Sequence, residues 1–368
     1  MISQNSQIST AAAESLPQAP ASKAFFRLSP IARKRLSVFR KEKRGWRAFL
    51  IFCTLFAMSL SAELIANDKP FYISNQGKHY FPIFSQYSDA EFGGFLPSEA
   101  DYTDPFLQKS IRENGGWILW PPVRYSYDTI RYDLKTPPPT APTLSNPFGT
   151  DDLGRDVFAR LLYGFRLSVL FGFAFAAITS VIGIAVGAIQ GYYGGKVDLL
   201  GQRFMEIWSG IPKLYLLIIM SSFMTLGFWS LLGLMILFGW MRLVGVVRAE
   251  FLKVRQLDYV QAARALGVRD REIIFRHILP NAMVAATAFL PFILAGSIGT
   301  LTSLDFLGFG MPPGSPSLGE LLAAGKSNLH APWLGFSAFT IVAGMLTLLV
   351  MIGEGVRNAM DPRHIQNI

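Results

Sequence analysis

Apolar positions along this chain gather into long uninterrupted runs separated by short polar stretches rich in arginine and lysine. Ala48–Ala62 is the first such run, and Leu167–Gly195 follows without a single charge. Gln202–Val247 is too long for one crossing of a bilayer and has no charge between Lys213 and Arg242, so it predicts two helices, 201–223 and 228–248, turning near Leu226-Gly227. Asn281–Thr302 and Trp333–Ile352 complete a set of six predicted spans, with Ser303–Pro332 as a loop between the last two.

Basic residues decide orientation. Arg33, Lys34, Arg35, Arg40, Lys41, Lys43, Arg44 and Arg47 precede the first run, and 242–276 is again rich in cations. Arg357 and Arg363 follow the last run. Positive flanks stay in the cytoplasm, so both termini and a loop at 249–281 are expected inside. A secretory signal peptide would need a much shorter basic lead-in, which favours an uncleaved first span. The fold class expected is an all-α polytopic membrane protein. Its predicted parts are a basic cytoplasmic tail at 1–45, a first helix at 46–66, and an extracytoplasmic insertion with an interfacial helix at 67–164. A membrane core at 165–356 and a cytoplasmic tail at 357–368 complete it.

Composition narrows the classes. Hydrophobic residues make up 51% of the 368 and charged ones 16%, a membrane-protein balance. The net charge of +9 lies beside the apolar runs, and no base-reading motif accompanies it, so nucleic acid is not an expected partner. The single cysteine, Cys53, excludes an internal disulfide framework. Residues 1–30 are Ser-, Ala- and Gln-rich without periodicity and read as unstructured. Residues 67–160 hold no spanning run but many aromatic residues, among them Phe71, Tyr72, Tyr80, Phe81, Phe84, Trp117 and Trp120. The insertion is therefore expected to fold or to pack on a partner, with Thr136–Pro142 as a stiff connector.

Three local patterns stand out. In Gly149–Gly164, Thr150 or Asp151 can cap a helix on which Leu153, Val157, Leu161 and Leu162 share a face, predicting an interfacial helix ahead of the second span. Gly183, Gly187 and Gly191 recur every fourth residue, a stripe along which another span can approach closely. The third pattern is a small-residue helix, Asp258-Tyr259-Val260-Gln261-Ala262-Ala263-Arg264-Ala265-Leu266, stopped by Gly267. A second helical stretch then runs to Leu279-Pro280. Tyr259, Ala263 and Leu266 fall on one face of the first helix, which is expected to bury. Such a helix either rests on the inner lipid surface or docks on a partner.

Conventional catalytic sets are absent, and His79, His277, His330 and His364 lack metal-ligand spacing. Gly325-Lys326-Ser327 is not a phosphate loop, because Glu320 stands where the motif needs glycine. Glu63, Glu206 and Glu354 fall near span ends rather than mid-bilayer, which argues against a proton-coupled carrier.

The third pattern resembles the loop by which permeases of the ABC importer class engage their ATP-hydrolysing subunits. That family reads Glu-Ala-Ala, three residues, Gly, nine residues, Ile-x-Leu-Pro; here Gln261 replaces the acid and Leu279-Pro280 come one place early. Gly149-Thr-Asp-Asp-Leu-Gly-Arg-Asp156, Pro316-Ser-Leu-Gly319, Ala331-Pro-Trp333 and Gly353–Pro362 resemble the C-type permeases of oligopeptide and dipeptide importers. Phe71–Tyr80 is most similar to the microcin C-type peptide permease subgroup. The resemblance implies the type I ABC importer permease fold in a peptide importer working by alternating access. It also implies a homologous second permease, two ATP-binding subunits carrying ATP and Mg, an extracytoplasmic peptide-binding protein and a peptide substrate. This chain would bind no cofactor itself. A secondary carrier, a channel-like pore and a non-transporting scaffold stay open as alternatives.

Overall fold

The computed structural model describes residues 30–94, 97–134, 136–144 and 146–361. The stretch expected to be unstructured lies outside these residues apart from Pro30, as does the predicted tail beyond Asp361. The described residues begin with two helices, α1 (Pro30–Lys41) and α2 (Lys43–Leu60), followed by the single turn α3 (Ala62–Ile65). The insertion carries β1 (Tyr72–Asn75), β2 (Lys78–Tyr80), α4 (Pro105–Glu113) and β3 (Trp117–Leu119). The membrane core then runs α5 (Val157–Tyr193), α6 (Gly195–Ser209), α7 (Lys213–Phe223), α8 (Phe228–Gly239), α9 (Met241–Val254), α10 (Asp258–Ala265), α11 (Asp270–Glu272), α12 (Leu279–Phe306), α13 (Leu318–Ser327) and α14 (Pro332–Met360).

Six spans were expected. Among the described residues four helical stretches are long and apolar enough to cross a bilayer: Val157–Tyr193, Phe228–Val254, Asp270–Phe306 and Pro332–Met360. The predicted helix at 201–223 is not straight. It is the pair α6 and α7, bent by 62° at Gly210-Ile211-Pro212, where proline lacks a donor and pushes Ile211 out of helical backbone. The predicted first span is α2, which carries Lys43, Arg44 and Arg47 in its opening turns. Its uncharged part, Ala48–Leu60, is about 20 Å long at ~1.5 Å per residue. It packs through Gly45 against Gly355 of α14, where a Cβ on Gly45 would lie 3.1 Å from the Gly355 Cα.

The interfacial helix expected before the second span is absent as a separate element. Asp156, not Thr150 or Asp151, is the cap, its side chain accepting from the Ala159 N–H, and α5 continues unbroken for 37 residues. Val157 and Leu161 bury as the start of that helix, while Leu153 stays outside it and half-exposed.

The fold is mostly helical, as expected, and the insertion adds one small sheet. β1 pairs antiparallel with both β2 and β3 in a three-stranded sheet of order β2-β1-β3. Gln76 (φ 50°) and Gly77 (φ 75°) turn β1 into β2, the positive-φ pair that suits a two-residue hairpin. Ile73, Tyr80, Phe92, Tyr102, Leu107 and Ile111 bury together, so the insertion has an apolar core of its own. Its base is tied to α5, with the Tyr163 hydroxyl donating to the Ala66 carbonyl at 3.0 Å.

Candidate functional site

Side chains at the glycine stripe of α5 would collide with α9. A Cβ at Gly183 would lie 2.7 Å from the Trp240 carbonyl oxygen, one at Gly187 2.9 Å from Val247 Cβ, and one at Gly191 2.5 Å from Phe251 Cβ. This close seam fixes where α9 ends and its following loop begins.

In that loop, α10 is stopped by a glycine motif. Gly267 takes φ +78°, its N–H donates to the Arg264 carbonyl, and the Val268 N–H reaches back to the Ala263 carbonyl at 3.1 Å. Both bonds satisfy carbonyls that the helix end would otherwise leave open, as the six-to-one and five-to-two bonds of the glycine-terminated motif. The expected buried face is rotated. Val260 and Ala263 are the buried pair, whereas Tyr259 is 44% and Leu266 83% exposed, because Leu266 is already the cap residue and has left helical register. Tyr259 instead accepts from the Asn281 amide at 3.1 Å. Asp258, Ala262 and Arg264 are also exposed. Leu257, Tyr259, Leu266 and Phe275 are thus exposed apolar side chains on this loop.

Pro280 does not end the helix preceding it. Ile273–Ile278 is one π-helical stretch leading straight into α12, with Leu279 partly buried and Pro280 in α12's first turn. A π turn tolerates the missing proline N–H and relieves the ring clash that a regular helix would suffer.

Polar contacts fasten the loop to the end of α5, and sequence reading missed them. Arg255 Nη1 donates to the carbonyls of Gly191 (3.2 Å) and Tyr192 (3.1 Å). Gln261 Nε2 donates to the Arg255 carbonyl at 2.9 Å. The Tyr192 hydroxyl donates to Asp270 Oδ1 at 2.6 Å, and the Arg264 guanidinium lies 5.1 Å from the centre of the Tyr192 ring. A neutral amide at position 261 is what this geometry uses, since a carboxylate has no proton to donate.

At the opposite end of α5, three motifs from the sequence converge: Gly149–Asp156, Pro316–Gly319 and Ala331–Trp333. Arg155 pairs with Asp151 (2.7 Å) and Glu320 (3.2 Å), and the wholly buried Arg160 pairs with Glu320 (3.0 Å). Ser317 caps α13 by accepting from the Gly319 and Glu320 N–H groups and donates to Asp305 at 2.6 Å. Gly319 is needed because its Cβ would sit 2.3 Å from the Thr302 carbonyl. Trp333 Nε1 donates to the Thr150 carbonyl at 3.4 Å. Gly325, part of the rejected phosphate-loop motif, lets α13 touch α14, a Cβ there falling 2.4 Å from the Gly335 Cα.

Comparison with known proteins agrees with this architecture. Residues 160–366 match the family described as binding-protein-dependent transport system inner membrane component. The chain is 57% identical over 336 residues to the inner membrane ABC transporter permease protein YejE of Escherichia coli, covering 91% of this chain and 98% of that one. It is 52% identical to the peptidoglycan transport system permease protein YejE of Agrobacterium fabrum, covering 91% and 94%. It is 33% identical to the oligopeptide transport system permease protein OppC of Lactococcus lactis subsp. cremoris, covering 60% and 76%. With more than half its length matched by the family and most of it by such relatives, the chain belongs to the binding-protein-dependent inner membrane transport components, as a permease subunit with the type I ABC importer fold.

Proposed function

We propose that this chain is one of two permease subunits of an ATP-driven importer that moves peptides across the inner membrane by alternating access. The observation that carries the reading is the loop between α9 and α12, a short glycine-stopped helix that exposes Leu266 and Tyr259 between two membrane-spanning stretches. Its partners are a homologous second permease, two ATP-binding subunits that hold ATP and Mg, and an extracytoplasmic peptide-binding protein. The basic flanks support cytoplasmic termini, a cytoplasmic α10 loop and an extracytoplasmic insertion. On this reading α2 makes a sixth crossing, with Lys43, Arg44 and Arg47 at the headgroup level, where long cationic side chains reach water.

The mechanism follows from rigidity. ATP binding closes the paired ATPases and displaces α10. Because α10 is held on the bundle by Val260 and Ala263 and α9 is seated against the glycines of α5, displacement tilts packed helices as bodies and turns the pathway from one side to the other. Peptide cargo is supported by the names of the relatives, oligopeptide for the Lactococcus protein and peptidoglycan for the Agrobacterium one. A peptide stem is common to both, and a microcin C-like peptide belongs to the same class.

Purification with co-expressed subunits tests the proposal, followed by uptake into proteoliposomes from a panel of oligopeptides, peptidoglycan stem peptides and a peptide–nucleotide conjugate. ATP-dependent uptake that needs the binding protein is expected. Uptake driven by a proton gradient without ATPases would establish a secondary carrier instead.

A further inference from the structure

We infer that Tyr192, Asp270 and Arg255 are positioning residues that clamp the α10 loop to the end of α5 and set how much peptide moves per ATP hydrolysed. The inference rests on the permease reading above and adds a joint to it.

The loop is continuous in chain with α9 before it and with α12 after it, so those helices follow its movement directly. α5 is separated from it by the whole of α6 to α9, and reaches the loop through side chains. Four hydrogen bonds form a closed ring with the chain. Gln261 of α10 donates to the Arg255 carbonyl, and the Arg255 guanidinium donates to the carbonyls of Gly191 and Tyr192. The Tyr192 side chain then returns to Asp270, beyond α10, at 2.6 Å. The last-turn carbonyls of a helix have no partner within it and carry its negative dipole end, which makes them good acceptors for a guanidinium. Arg255 fits there because Gly194 has no side chain; a Cβ would lie 2.4 Å from Nη1.

The clamp sits where α5 turns into α6. Gly194 (φ 63°) and Gly195 (φ 52°) form that turn, and two successive glycines with positive φ make a joint able to absorb a change in helix direction. A cavity of 640 Å³ beside the ring, lined by Tyr192, Tyr193, Arg255, Gln261, Arg264 and Asp270 among others, leaves room for such a change. Movement of α10 thus reaches α5 at its joint with the bent α6–α7 pair. Without the tyrosine–aspartate bond, α5 would follow only through its glycine seam with α9 and the Arg255 bonds, and its end at the joint would lag behind α10.

The test uses the reconstituted four-subunit importer with its binding protein, reading peptide uptake and ATP hydrolysis together. Wild-type complex must first show ATP-dependent uptake; its absence would refute the permease reading rather than the clamp. Tyr192→Phe and Asp270→Ala are each expected to lower peptide moved per ATP by about threefold, in the range seen when a coupling contact is cut, with ATPase association unchanged. Their combination should be no worse than either single change, because both remove one bond. Asp270→Asn, which keeps an acceptor oxygen, should recover part of the loss. Tyr193→Phe, beside the same cavity, should behave as wild type. An unchanged ratio in Tyr192→Phe, multiplicative losses in the double variant, or loss of assembly in Tyr192→Phe would each overturn the clamp.

Discussion

Single residues here are constrained by contact distance or by backbone conformation, and the two make different predictions. Gly191 lacks room: its helix meets Phe251 and the Arg248 carbonyl, with a Cβ 2.5 Å and 2.7 Å away. Gly191→Val should therefore cost about 2 kcal/mol, as overpacked interiors do, and lower the thermal midpoint of the purified complex. Gly245→Ala, with nothing within 4 Å of its Cβ, should leave that midpoint unchanged. Gly267 is the reverse case, with open space but φ +78°. Gly267→Val should cost on the order of 1–2 kcal/mol of backbone strain, weaken ATPase co-purification and reduce uptake, with membrane insertion intact. Gly267→Asn should be much milder, since asparagine tolerates left-handed backbone. Buried charge gives a third test. Arg160 is wholly buried between Asp151 and Glu320, so Arg160→Met removes one of the two arginines these acids share, leaves them to Arg155, and should destabilise by up to about 3 kcal/mol, read as earlier unfolding in nanodiscs.

Elements divide into those governed by local pattern and those governed by what they pack against. The uninterrupted runs behind α5, α12 and α14 were legible because any helix so apolar must be buried or in lipid, and the glycine spacing of α5 was legible because small residues at every fourth place have few other uses. The glycine stop of α10 was legible for the same kind of reason. Its buried face was not: Val260 takes the inward position because the chain enters α10 from α9 through Leu257, an angle that periodicity does not encode. The bend before Pro212 had a visible signal in Ser209-Gly210-Ile211-Pro212, overridden by the hydropathy of the run. The insertion's sheet also had one, the alternating Tyr72-Ile73-Ser74-Asn75 before Gln76-Gly77, but strands this short compete poorly with an all-helical expectation. Because the insertion carries its own core of Ile73, Tyr80, Phe92 and Leu107, it should resist proteolysis in intact proteoliposomes. Replacing 75–135 by a flexible Gly/Ser linker is expected to abolish uptake while leaving assembly of the membrane core intact; normal uptake would make the insertion a spacer.

For the molecule as a whole, orientation decides whether α10 can meet an ATPase at all. Cations cluster on α1, on the opening turns of α2, around α10 and at the end of α14, and all of these belong on one side if positive segments are retained in the cytoplasm. Residues 67–148 then lie on the other side, with Tyr132 90% exposed and open to reagents. Cys53 is exposed, so labelling needs a Cys53→Ala background. In that background Tyr132→Cys should react with a membrane-impermeant maleimide in intact spheroplasts, and Arg269→Cys, beside the exposed Gly267, only after the membrane is opened. The reverse pattern would put the α10 loop on the side without ATP. A permease with its loop there could not be driven by ATP-binding subunits, so this one pair of labels tests the premise on which both the glycine stop and the tyrosine–aspartate clamp depend.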